Sequence, residues 1–110
     1  MTSCTLAVAV EREAADAPAA ELFLAGTIST REAIEHGAVV TPDGSEIWFT
    51  RAIGVWGEPA RSAVIHVARR TPDGTYHEPV PAPFSTGFDG DPFPSPDGAW
   101  LYFVSDRPAP

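Results

Sequence analysis

The chain contains the same short segment twice. Residues 39–51 have the sequence VVTPDGSEIWFTR and residues 93–105 have the sequence FPSPDGAWLYFVS, so that aligned positions lie 54 residues apart. In each copy, a turn of the form Ser/Thr-Pro-Asp-Gly precedes an apolar run rich in aromatic residues. A unit that recurs at a fixed period buries its apolar face by stacking on its neighbours. The duplication therefore predicts an all-β architecture of radially repeated antiparallel sheets.

The two repeated turns have a clear physical basis. In such a turn the proline presets φ, the aspartate bonds to the local backbone, and the glycine supplies a positive φ. An aspartate with that role is predicted to be structural rather than a ligand or a catalytic acid. The repeat-turn residues are Thr41, Pro42, Asp43, Gly44, Ser95, Pro96, Asp97 and Gly98.

Turn residues and alternating patterns predict four antiparallel strands followed by half of a second set. Residues 1–20 are predicted to be a poorly ordered tail and residues 21–110 a partial repeat domain. Within that domain, segment 31–37 is expected to form a helical turn or a loop. A four-stranded unit over residues 38–82 precedes the first half of another, at 87–107. The strands of the first unit are predicted at residues 38–41, 46–52, 62–70 and 75–80.

The second strand of each unit is apolar at consecutive positions. Residues 47–49 are Ile-Trp-Phe, and the matching residues 101–103 are Leu-Tyr-Phe. A strand that is apolar on both sides requires a covering layer on each face. A chain with one and a half units leaves one of these faces open, which predicts a partner surface, assembly into oligomers or poor solubility.

Composition excludes several classes of function. The 110 residues carry a formal charge of −8 and contain no lysine, which argues against nucleic-acid binding and excludes a phosphate-loop lysine or a Schiff base. Cys4 is the single cysteine and forms no internal disulfide. No signal peptide is recognisable, which indicates a cytoplasmic protein as the sequence stands, and no stretch has the length of a membrane span.

Candidate chemistry is sparse. Asp89 and Asp91 offer alternating carboxylates to Ca²⁺, but no EF-hand spacing follows, and Asp91 is expected to cap a strand entry. His66 and His77 are predicted to lie on one face of a hairpin, but a third zinc ligand is missing there. No Gly-x-Ser-x-Gly elbow occurs. The sequence thus predicts no catalytic residue, no metal and no cofactor, while possible binding residues are Asp91, Asp106 and Arg107.

The motif resembles a known family, the WD40-like β-propeller repeats of the TolB-like kind. That repeat has the form Asp, two residues, Pro, two residues, Ser-Pro-Asp-Gly, then an apolar strand ending near Ser-Asp-Arg. The fuller copy here is DGDPFPSPDGAWLYFVSDR, with Asp91 and Pro92 assigned to the leading positions and Ser105, Asp106 and Arg107 to the last. The earlier copy has Gly37 and Ala38 at the leading positions.

The resemblance implies an incomplete β-propeller without enzymatic activity, which acts as a scaffold for a protein or peptide. The missing remainder of the propeller is the other expected partner. The resemblance also suggests a periplasmic or exported protein. Two alternatives remain: the leading part of a serine peptidase-like hydrolase with its catalytic residues elsewhere, and a remnant without function.

Overall fold

The protein is an all-β chain, as the sequence predicts. The computed structural model describes residues 8–9 and 19–109, and those residues form strands, turns and loops but no helix. No described helix is therefore available to cross a membrane. The strands are β1 (Val8–Ala9), β2 (Glu21–Leu22), β3 (Ile34–Val40), β4 (Glu46–Ile53), β5 (Ser62–Arg69), β6 (Val80–Pro81), β7 (Asp89–Pro94) and β8 (Leu101–Ser105).

Four of these strands form one antiparallel sheet, called here the first sheet, in the order β3-β4-β5-β6. Strands β4 and β5 pair along their whole length, from Glu46 opposite Arg69 to Ile53 opposite Ser62. The turn between β3 and β4 closes with the Gly44 amide donating to the Thr41 carbonyl at 2.8 Å. Gly44 has φ 74°, a conformation that a side chain disfavours.

The first sheet begins earlier than predicted. Strand β3 starts at Ile34, inside the segment expected to be a helical turn or a loop. The reason is Gly37, which has φ 65° and lies in a bulge between His36 and Val39 rather than at the end of a helix. Such a bulge bends a strand without ending it.

The fourth strand is shorter than predicted. Only Val80–Pro81 pair with β5, while the rest of segment 75–80 adds a single bridge between Arg70 and Tyr76. The prolines in this region cannot donate to a ladder, which limits the pairing.

One face of the first sheet packs on the segment that follows β2. Ile47, Phe49 and Ala68 are fully buried there together with Ile28, and Phe23, Leu24 and Tyr76 pack around them. Arg51 lies on the same face and donates from Nη2 to the carbonyls of Thr27 and Ile28, at 3.2 Å each. Residues 23–30 therefore cover this face with both apolar and polar contacts.

The opposite face of the first sheet is covered by β7, which together with β8 forms the second sheet. Strand β7 crosses this face, and the Asp91 amide donates to Thr50 Oγ1 at 2.9 Å. Phe84 stacks on Trp48 on one side and on Phe103 on the other, with ring centroids 6.4 and 5.1 Å apart. The two repeats are thus stacked, with Phe103 of the second unit turned towards the first.

The predicted N-terminal tail, residues 1–20, lies mostly outside the described residues. Of the described part, Val8–Ala9 pair antiparallel with Glu21–Leu22 as a two-stranded sheet.

Candidate functional site

The two sheets contain the same three-part cluster of a buried acid, an arginine and a phenylalanine. In the first sheet, Glu35 is fully buried and accepts a hydrogen bond from Arg51 Nε at 3.2 Å. The Arg51 guanidinium lies 5.3 Å from the ring centroid of Phe49. The loop before β3 is attached to this cluster, because Thr30 donates to Glu35 from its hydroxyl at 2.5 Å and from its amide at 3.3 Å.

The second sheet repeats the arrangement, with the acid and the phenylalanine 54 residues later and the arginine 56 residues later. Asp89, which corresponds to Glu35, is 1% exposed and accepts a hydrogen bond from Arg107 Nη2 at 2.8 Å. The Arg107 guanidinium lies 5.1 Å from the ring centroid of Phe103. The loop before β7 is attached by the Ser85 hydroxyl at 3.0 Å and the Thr86 amide at 2.8 Å, both donating to Asp89.

The environment of Asp89 favours its ionised form. Burial alone raises the pKa of this carboxyl, but the hydroxyls of Ser105 and Ser85, the Thr86 amide and the Arg107 guanidinium outweigh burial and hold the pKa below its usual range. A carboxylate that stays charged beside a fixed arginine does not exchange protons near neutral pH. Asp89 is therefore suited to holding the loop and the strand end together.

Asp89 is the buried acid of this cluster, and the sequence-based prediction missed it. The leading acid of the repeat is predicted at Asp91, but Asp91 is exposed, has φ 51° and lies in the bulge between Gly90 and Phe93. Counted back from Pro92, the acid with two residues between is Asp89. The same spacing in the first copy leads to Glu35, so the signal was present in the sequence.

Asp91 instead lies beside the first sheet. Its Oδ1 is 3.3 Å from His36 Nδ1, with both side chains partly exposed. A Cβ at Gly37 would come within 2.9 Å of the same oxygen, so the glycine makes room for this carboxylate. Asp91 and Gly37 are the two corresponding bulge residues, and they meet where β3 and β7 approach each other.

The remaining predicted binding residues, Arg107 and Asp106, differ in how many of their side-chain atoms are already bound within the protein. Arg107 is held by Asp89, by the Phe84 carbonyl at 3.0 Å and by the Ser105 hydroxyl. Asp106 is exposed, and its amide donates to the Phe88 carbonyl at 3.2 Å. Only Asp106 therefore offers a carboxylate without a described ion-pair partner at this end of β8.

The turn aspartates accept hydrogen bonds within their own turns. Asp43 Oδ1 accepts from the Thr41 hydroxyl and from the amide and hydroxyl of Ser45, and these bonds lower its pKa to about 2. Asp97 accepts from the Ser95 hydroxyl at 2.6 Å and from the Ala99 amide at 3.0 Å, which also lowers its pKa.

A third turn of the same kind links β5 to the segment before β6. There Asp73 accepts from the Thr71 hydroxyl and from the amide and hydroxyl of Thr75, and its pKa is likewise lowered to about 2. The hydroxyl at the first turn position thus performs the same task in all three turns.

The two repeated turns face each other across a cleft of about 200 Å³. Asp43, Glu46 and Asp97 make it acidic. The repeat-turn residues that line it are Thr41, Pro42, Asp43, Ser95, Pro96, Asp97 and Gly98. The structure therefore brings together most of the residues that the repeat singled out, with each aspartate Oδ1 already engaged locally.

His66 and His77 lie on opposite faces, whereas the sequence predicts that they share one. His66 pairs with Pro81, whereas the His77 amide donates to the Arg69 carbonyl. Positions 66 and 69 differ by an odd number on one strand, so their side chains point to opposite faces. His66 stacks on Phe49, and burial lowers its pKa. Among the residues that the structure describes, no three His, Cys, Asp or Glu side chains are grouped to hold a metal.

The outer face of the second sheet is apolar and exposed to solvent. We call it the β8 surface, and its exposed fractions are 59–68% per side chain. Phe93 and Tyr102 are direct cross-strand neighbours on it, so they share one face. The β8 surface consists of Phe93 (59%), Trp100 (68%), Tyr102 (60%) and Val104 (65%).

Comparison with known proteins adds no relative. No family model, no curated protein and no solved structure matches the chain.

Proposed function

We propose that this chain is a non-enzymatic segment of a β-propeller of the TolB-like kind and serves as a scaffold that binds a protein or peptide. The β8 surface is the observation that carries the proposal. Large contiguous apolar areas are rare on the surface of monomeric proteins, and they mark interaction sites. Aromatic residues such as Trp100 and Tyr102 are also the types that dominate binding energy at interfaces.

The first sheet supports this assignment, because it has the equivalent face in a covered state. Trp48 corresponds to Tyr102 and is covered by Phe84. Thr50 corresponds to Val104 and is fully buried beneath β7. A face that is buried in one repeat and exposed in the next is available for packing against a further protein layer.

The polar residues favour a structural role over catalysis. The buried acids Glu35 and Asp89 are neutralised by arginines, and Asp43 and Asp97 accept hydrogen bonds within their own turns. Groups whose charge is fixed in this way stabilise a scaffold and are poorly placed to transfer protons. The acidic cleft adds a region that attracts a basic side chain of a partner.

The proposal is tested by selecting peptides from a displayed random library on the immobilised 110-residue chain. Selected peptides are expected to be apolar and to bind at least tenfold more weakly to a Trp100→Ser, Tyr102→Ser variant, a loss of about 1.4 kcal/mol. Trp56→Ser is the matched control, because Trp56 is 66% exposed but lies outside the second sheet. Equal binding to the double variant, or no enrichment of any peptide, contradicts the proposal.

The reading frame that adjoins the coding sequence separates the proposal from a propeller-bearing hydrolase. Further Ser-Pro-Asp-Gly copies without a nucleophile motif favour a scaffold. A later Gly-x-Ser-x-Gly elbow favours a hydrolase, with this chain supplying only its propeller part.

A further inference from the structure

The outer edge of β8 has no described strand beside it. Strand β8 pairs with β7 alone. The corresponding strand of the first sheet, β4, pairs with β3 on one edge and with β5 on the other. The edge of β8 that corresponds to the β5 side of β4 therefore presents backbone donors and acceptors available to another strand.

This edge lacks the features that protect most edge strands. Natural edges carry charged side chains, prolines or bulges that prevent pairing with another chain. Between Leu101 and Ser105 there is no charged residue and no proline, and the bulge of this sheet lies in β7. Tyr102 and Val104 are also exposed to solvent on one side of the strand. The edge is thus both open and apolar.

The strand is complementary to itself. When two copies of β8 run antiparallel about a two-fold axis at Phe103, Tyr102 of one copy lies opposite Val104 of the other, and Leu101 lies opposite Ser105. An aromatic residue opposite a β-branched residue is a favourable cross-strand pair. In this register, none of the four apolar residues 101–104 lies opposite a charged residue.

The same register avoids a clash of like charges, which matters for a chain of charge −8. Just beyond the strand, Asp106 of one copy lies opposite Trp100 of the other. No carboxylate therefore lies opposite a carboxylate at this point, and the two Trp100 rings extend the apolar contact at both ends.

We infer that β8 is a homodimerisation edge, at which a second copy of this chain adds its own β8 in antiparallel orientation. The inference rests on the proposed function, since it adds a second copy of the 110-residue chain at the edge of the strand that carries most of the β8 surface. The resulting sheet has the order β7-β8-β8′-β7′ and as many strands as the first sheet. An isologous contact of this kind closes on itself, so it ends at a dimer.

Light scattering after size-exclusion chromatography, over a range of protein concentrations, tests the inference. The wild-type chain is expected to reach twice the 11.7 kDa mass of the monomer. Tyr102→Lys and Val104→Lys are each expected to raise the dimer dissociation constant at least tenfold. These lysines reduce the net negative charge, so weaker association in the variants does not result from greater general repulsion. Trp56→Lys adds the same charge elsewhere and is expected to dimerise like the wild type.

Hydrogen exchange on the wild-type chain is the second measurement, and it requires no variant to fold. Those amides of residues 101–105 that point away from β7 are expected to gain protection as concentration rises, while the amides of β4 do not change. A wild type that stays monomeric, a dimer that persists in both β8 variants, or growth beyond the dimer overturns the inference. A monomer that still selects peptides through Trp100 and Tyr102 overturns only the self-pairing. A dimer that selects none overturns only the proposed function.

Discussion

Strands β4 and β8 occupy equivalent positions in two copies of one repeat, but their surroundings differ. Strand β4 is paired on both edges and covered on both faces, and Ile47, Phe49 and Thr50 have no exposed surface. Strand β8 is paired on one edge and covered on one face, and Tyr102 is 60% exposed. Similar sequences thus have different burial because their neighbours differ.

The difference shows which parts of the repeat are local and which depend on a neighbour. The turn hydrogen bonds and the acid–arginine–phenylalanine cluster are present in both sheets. The cover over the outer face is complete in the first sheet alone. A repeat unit can therefore form its internal contacts while its stacking surface remains exposed.

The largest expected contrast is between Phe49 and Tyr102. Phe49 is fully buried, so Phe49→Ala should lower the free energy of unfolding by about 3–5 kcal/mol through lost burial and the cavity left behind. Tyr102→Ala removes an exposed side chain and should change it by less than about 0.5 kcal/mol in dilute solution. Urea unfolding followed by tryptophan fluorescence measures both. Equal losses would mean that β8 is as well covered as β4.

The next largest contrast is expected between the stability losses caused by substituting the two buried acids. Glu35→Gln leaves Arg51, which is only 22% exposed, without its charge partner, and should cost about 3 kcal/mol. Asp89→Asn leaves Arg107, which is 44% exposed and can turn to water, and should cost about 1.5 kcal/mol. Glu46→Gln breaks the partly exposed pair with Arg69 and serves as the control, with a cost below about 1 kcal/mol. The reverse order for Glu35 and Asp89 in urea unfolding would contradict the assigned burial.

The turn glycines should behave alike in both sheets. Gly44 and Gly98 have φ 74° and 75°, and no atom lies closer than 3.7 Å to an added Cβ at either position. Gly44→Ala and Gly98→Ala should therefore each cost about 1–2 kcal/mol for conformational reasons alone. Replacement of Gly98 with D-alanine by chemical synthesis is the control, because it favours positive φ and should restore the melting temperature. No recovery would point to a steric cause instead.

Acid should weaken the turns within a narrow pH range. The pKa of Asp43 and that of Asp73 fall from 3.8 to about 2 on folding, so their contribution is fully present above pH 3.8 and is lost as pH falls towards 2. An Asp43→Asn, Asp73→Asn variant should show a shallower decline in melting temperature over this range than the wild type. Calorimetry at several pH values measures the slopes. Parallel curves would show that these two carboxylates are not responsible.

Much of the fold follows from local chemistry and is visible in the sequence. The all-β class, the turn at Gly44 and a strand beginning at Ser62 depend on turn residues and on alternation of apolar side chains. Both patterns span only a few residues, so they can be recognised without knowledge of the tertiary structure.

The incorrect predictions concern features that depend on tertiary contacts. Gly37 indicated the end of a helical turn, but it is a bulge that gives space to Asp91 from the other repeat. The pairing of Asp89 with Arg107 joins residues 18 positions apart and depends on the register of β7 against β8. The faces of His66 and His77 depended on a hairpin register that a short, proline-rich strand altered. No local pattern contains such information.

Strand-by-strand hydrogen exchange tests the central claim most directly, namely that β8 is an open copy of β4. In a preparation that light scattering shows to be monomeric, the β4 amides should exchange through global unfolding, with similar high protection along residues 46–53. Those amides of residues 101–105 that point away from β7 should exchange orders of magnitude faster. Uniform protection of β8 at the level of β4 in that monomer would contradict the account.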